Sequence, residues 1–160
     1  MIVPPVAMAI MGPIAGLFAE KTDIRKLAAF GALMLSIFVS ILAVSLNLEL
    51  HIVILFVALS AGALTIFTVS NGTSVMNAAP KTDVSIVAGL IGLSRNIGFT
   101  FGTTLTSAFF ALFFSINNPG NITSGTIYLT SYISSMQGTY IIFAFLAVLG
   151  TIASLLRTKK

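Results

Sequence analysis

This sequence predicts an all-α fold: a polytopic bundle of transmembrane helices. Three observations carry that expectation. First, 57% of the 160 residues are hydrophobic and 8% are charged, with a mean hydropathy of +1.07. Soluble domains carry roughly 25% charged residues, and this chain has too little polar surface to cover a water-facing exterior. Second, residues 3–19, 27–46, 52–70, 84–116 and 138–156 are mainly apolar. A spanning helix needs about 20 such residues to cross about 30 Å of hydrocarbon. Third, Lys and Arg occupy alternate polar breaks. Lys21, Arg25 and Lys26 fill the first break, Lys81 the third with Arg95 just beyond it, and Arg157, Lys159 and Lys160 the tail. The breaks at Glu49-Leu50-His51 and from Asn117 to Gln137 carry none. Basic loops stay cytoplasmic, so all 8 Lys and Arg are expected inside, with the N-terminus outside and the C-terminus cytoplasmic, in the plasma membrane.

Composition also excludes functions. The net charge of +4 reads as a set of topology determinants and not as a nucleic-acid surface. With no Cys, one His and four carboxylates, neither a thiol nucleophile nor a dedicated metal site is expected. There is no acid pair inside a span and no Ser–His arrangement, so the chain is not expected to be an enzyme or to hold a cofactor. The first apolar run lacks the basic start and small-residue cleavage site of a signal peptide. It is therefore expected to be one span of a larger architecture.

The elements are taken in order. Pro4 and Pro5 suit the opening of the first helix, and Pro13 is tolerated where neighbours satisfy the freed carbonyl. Gly12 and Gly16 stand i, i+4 and invite close packing. A short charged loop leads to the second helix. A tight turn, Asn47 to His51, leads to the third. Asn71–Asp83 reads as a loop, because Asn71-Gly72 is a turn signal, Pro80 breaks helices and Thr82 or Asp83 can cap the next helix. The fourth segment is longer than a bilayer requires, so it tilts or emerges from the membrane. Asn117-Asn118-Pro119-Gly120-Asn121 is a turn. Beyond it Tyr128, Tyr132 and Met136 recur at i, i+4, i+8, which suggests a short amphipathic interfacial helix before the last span.

Arg95 is the one charge inside an apolar run. An Arg at the bilayer centre costs about 2.5–3.5 kcal/mol. Two roles stay open: lining a pathway, or anchoring at the interface by snorkelling. At about 100° per residue, Ala88, Gly92, Gly98, Gly102 and Thr106 share its side. That small, weakly polar side is expected to meet a neighbouring helix or a narrow cavity.

The charged loop is more specific than a generic topogenic loop. It reads Gly16-Leu17-Phe18-Ala19-Glu20-Lys21-Thr22-Asp23-Ile24-Arg25-Lys26. An acid at the membrane edge can pair with a helix N-terminus across a domain interface, and the bases beyond it can complete a charge network. This loop resembles the one between the second and third helices of each half of the major facilitator superfamily, roughly G-x-L-A-D-[RK]-x-G-[RK]-[RK]. Gly16, Phe18, Ala19, Glu20 and Lys21 stand at its first positions, Arg25 at a later basic one, and Lys26 extends the cluster. Glu20 replaces the usual Asp, Asp23 stands where Gly is expected, and Ile24 where a base is expected. A second stretch is similar to the fourteen-helix drug:proton antiporter branch: Asn77-Ala78-Ala79-Pro80, Ala88-Gly89-Leu90, then Ser94-Arg95-Asn96-Ile97-Gly98 through Gly102.

The resemblance implies a partial C-terminal domain, the last five helices of a secondary transporter. It implies alternating access, proton-coupled multidrug efflux and incompleteness without the N-terminal half. Partners would be the bilayer, protons and a small amphipathic drug-like substrate. Gly16, Glu20, Lys21, Arg25 and Lys26 would form the gating loop. Gly92, Arg95, Asn96, Gly98 and Gly102 would set packing or line the pathway. The competing expectation is a small stand-alone membrane protein that oligomerises or assists a partner without transporting.

Overall fold

A computed structural model describes residues 2–46, 49–118, 120 and 123–155. Five helices make up the fold: α1 (Val3–Lys21), α2 (Ile24–Ser45), α3 (Leu50–Ala78), α4 (Val84–Asn117) and α5 (Thr126–Leu155). All five are long and apolar enough to cross a membrane.

The first turn shows how local chemistry sets a boundary. α1 opens with Pro4 in its first turn and runs through Pro13. It stops at Thr22, whose N–H donates to the Phe18 carbonyl at 3.0 Å. Asp23 then caps α2, its carboxylate accepting from the Arg25 N–H at 3.1 Å. That cap starts α2 at Ile24, three residues before the expected Leu27, because it satisfies a donor otherwise left free at a helix start.

Two other boundaries differ from the sequence expectation. Asn71–Ala78 is not loop but the last two turns of α3. Continuing the helix keeps each backbone donor and acceptor paired, so it runs on through weak formers. Thr73 shows the accommodation, its hydroxyl bonding back to the Val69 carbonyl at 2.9 Å. The helix ends where Pro80 forces Ala79 into extended backbone, φ −79° and ψ 142°. Asp83 occupies the N-cap position of α4 without a side-chain cap bond. The expected interfacial helix is not separate either. It forms the opening turns of α5, which starts at Thr126 and passes through Gly138 unbroken. Gly125, with φ +91°, makes the preceding turn. Asn47, Leu48, Pro119, Asn121 and the basic tail from Arg157 lie outside the described residues.

Helix directions are set by the contacts. Gly31 meets the Phe67 backbone and the Phe38 ring lies 6.4 Å from that of Phe56, so α2 and α3 run antiparallel. A Cβ at Gly62 would stand 3.1 Å from Met11 Cγ, so α1 rests closely on α3 there. The Ser36 and Thr151 hydroxyls, 3.0 Å apart, tie α2 to α5. α4 packs mainly on α5 and only lightly on α3.

The core is built of small residues. Its buried apolar members are Ala15, Ala19, Ala28, Ala32, Leu42, Ala43, Ala61, Ala63 and Ala144. The large side chains point outward, among them Val44, Leu55, Phe101 and Phe145. Lipid tails are as apolar as Leu, so burying Leu between helices gains little, whereas small residues let backbones approach. This arrangement places the chain among integral membrane helical bundles. The expected Gly12–Gly16 seam is absent: a Cβ at either position would meet nothing within 4 Å. α1 uses Met11, Ala15 and Ala19 instead, of which Ala15 and Ala19 are buried.

Candidate functional site

Three arrangements could carry function. The first is the turn between α1 and α2. Glu20, Lys21, Arg25 and Lys26 are all exposed there, and Gly16 is half-buried with open space beside its Cα. Asp23, not Glu20, makes the helix-capping contact. The sequence carries a signal for it, since Asp ahead of a long apolar-rich helix is an N-cap pattern. Among the described residues, no hydrogen bond or ion pair engages the side chains of Glu20 and Arg25. The turn therefore presents one acid and three bases free to meet another surface.

The second arrangement is a groove of about 560 Å³ between α3 and α4. Phe67, Thr68, Asn71, Gly72 and Val75 form one wall, and Val87, Leu90, Ile91, Ser94 and Arg95 the other. The extension of α3 past Asn71 completes the first wall with Gly72 and Val75, because a loop there would have ended it one turn earlier. Arg95 thus lines the same groove as Asn71 and Thr68, which sequence distance did not reveal.

The structure does not bring the rest of the α4 set together by packing. Gly92, Gly98 and Gly102 have nothing within 4 Å of a built Cβ, so the close helix contact expected on that side is not made within the described residues. Asn96 is exposed, its carbonyl accepting from Thr100 Oγ1 at 3.0 Å. No α4 residue is buried. The reason is geometric: α4 leans on α5 through its second half and leaves the small-residue face of its first half uncovered.

The third arrangement is a groove of about 470 Å³ among α2, α4 and α5. Phe110, Tyr132, Met136, Tyr140 and Phe143 line it, with the hydroxyls of Thr106, Ser107 and Thr139. Its rings interlock at one end: Phe110 and Tyr132 sit edge to face at 5.1 Å, and Phe114 and Tyr128 at 5.7 Å. Edge-to-face pairs of this kind are worth about 0.5–1.5 kcal/mol each. Read only as far as Met136, the periodic tyrosines suggest an interface. The same i, i+4 series continues to Tyr140, and that continuation is the sequence signal for this lining.

A polar ladder secures that end of the hairpin. Ser131 Oγ donates to the Asn117 carbonyl at 2.8 Å, and Asn117 Nδ2 donates to Ser135 Oγ at 3.2 Å. Ser135 and Thr139 continue the series by bonding back along α5. Among the described residues there is no group of three or more His, Asp or Glu that could hold a metal.

The fold and these grooves define a class, an integral membrane bundle with mainly apolar clefts opening between its helices. Compared with family models, curated proteins and solved structures, the chain matches none.

Proposed function

We propose that this chain is the C-terminal part of a secondary active transporter of the major facilitator type, in which two helical units rock around a midplane site. One observation carries the reading. In a bundle that otherwise packs small residues face to face, α4 leaves its own small face open, with Gly92, Gly98 and Gly102 uncovered. A helix face that narrow and weakly polar suits the seam with a second transporter unit or a substrate path. The exposed Glu20, Lys21, Arg25 and Lys26 suit a gating loop that meets that second unit. The four carboxylates, Glu20, Asp23, Glu49 and Asp83, all lie at helix ends, so acids that couple transport to protons would come from the other unit. The basic turns then face the cytoplasm of a plasma membrane, and the substrate class is an amphipathic drug-like molecule.

In the intact transporter, Glu20→Ala combined with Arg25→Ala should slow efflux about fivefold or more, the low end of typical coupling energies of about 1–3 kcal/mol. Membrane insertion should be unaffected. Unchanged efflux kinetics in that double variant would remove the gating role.

The same open α4 face supports a second reading, a small membrane protein that self-associates or assists a partner. Purification of the 160-residue chain in mild detergent separates the two. A monomer is expected for a transporter segment; a stable monodisperse oligomer would favour the second reading.

A further inference from the structure

We propose that the groove between α3 and α4 binds an anionic amphiphile, with Arg95 holding its phosphate or carboxylate head. This requires only that the helices span a bilayer and is independent of transport. Arg95 stands 95 − 84 = 11 residues from the start of α4, about 17 Å along the helix at 1.5 Å per residue. α4 has 34 residues, about 51 Å at that rise, so Arg95 lies within the bilayer or at its edge, and at either place an unpaired guanidinium attracts an anion. No acid lines its groove, and among the described residues no partner engages its side chain. A compensating anion would therefore come from outside the described chain.

The groove supplies what such a ligand needs. A guanidinium fork matches phosphate or carboxylate oxygens with paired N–H donors. Asn71 and Ser94 line the same groove and can add donors. Phe67, Val75, Val87, Leu90 and Ile91 form the remaining walls and suit an acyl chain. A volume of about 560 Å³ lies within the usual range of about 300–1,000 Å³ for ligand sites. The head chemistry is shared by an acidic phospholipid of the surrounding leaflet and by a soluble single-chain amphiphile.

The test is native mass spectrometry of the full chain released from a neutral detergent. The probes are dioleoylphosphatidylglycerol, dioleoylphosphatidylcholine and dodecyl phosphate, each titrated separately. Phosphatidylglycerol should be retained about tenfold more strongly than phosphatidylcholine, the order expected of a hydrogen bond to a charged group. Arg95→Gln should abolish that preference. Val87→Trp, which fills the groove and leaves Arg95 in place, should weaken every retained anion. Retention of phosphatidylglycerol alone names lipid as the source; retention of dodecyl phosphate alone names a soluble amphiphile. Equal retention of the two phospholipids, or an anion preference that survives Arg95→Gln, would overturn the proposal. Circular dichroism of both variants shows that helix content is kept.

Discussion

Gly31→Leu should break the seam between α2 and α3 and cost this chain more stability than any other single glycine replacement. A Cβ at Gly31 would stand 2.7 Å from the Phe67 nitrogen, 3.0 Å from its Cα and 3.2 Å from the Ile66 carbonyl carbon. All three atoms are backbone, so no rotamer change relieves the clash and the helices must separate. Overpacking of this kind costs typically about 1–3 kcal/mol. Even Gly31→Ala should reach that range, and Leu should exceed it. Gly98→Ala and Gly102→Ala should do the reverse. Nothing stands within 4 Å of either position, and Ala in a helix gains about 0.4–1 kcal/mol over Gly where the backbone allows it. Unfolding midpoints in detergent would read all four variants. A Gly31→Ala midpoint equal to that of the parent would show that the close approach contributes nothing to stability.

Ser135→Leu should free α4 from α5. Ser135 is fully buried; its hydroxyl accepts from Asn117 and donates to the Ser131 carbonyl at 2.6 Å. A Leu there adds volume to a filled site, again about 1–3 kcal/mol, and leaves the Asn117 amide without its partner. Because α4 leans mainly on α5, no other helix compensates. Ser135→Ala should be much milder, near the 0.5–1.5 kcal/mol of roughly one net hydrogen bond. The chain contains no Cys, so Leu112→Cys with Leu129→Cys introduces a clean pair of spin-label sites. Both positions are exposed. The label-to-label distance distribution should broaden in Ser135→Leu and stay narrow in Ser135→Ala. A narrow distribution in both would show that the rings of Phe110, Phe114, Tyr128 and Tyr132 suffice to hold the hairpin.

The membrane class and the five spans were legible in the residues alone. Hydropathy and length are local sums, and the bilayer imposes one thickness on every helix, so runs of apolar residues translate directly into helices. The start of α4 at Val84 was legible as well, since proline acts on its immediate neighbours; the end of α3 was not. Where a local turn signal competes with helix continuation, the sequence misled. Asn71-Gly72 reads as a turn, yet α3 passes through it, because continuing the helix keeps every backbone group paired until Pro80 removes the option.

The candidate sites divide along the same line. Arg95 was conspicuous as a charge in an apolar run, but part of its groove wall, Gly72 and Val75, exists only because α3 continues past Asn71. The glycines showed the limit most clearly. Gly12, Gly16, Gly31, Gly62 and Gly102 look alike in the sequence. Only the packed bundle distinguishes Gly31, which carries the close approach, from Gly12, Gly16 and Gly102, which face open space. Helical periodicity says which residues share a side. Which side meets another helix depends on how all the backbones pack together, and no single segment contains that information.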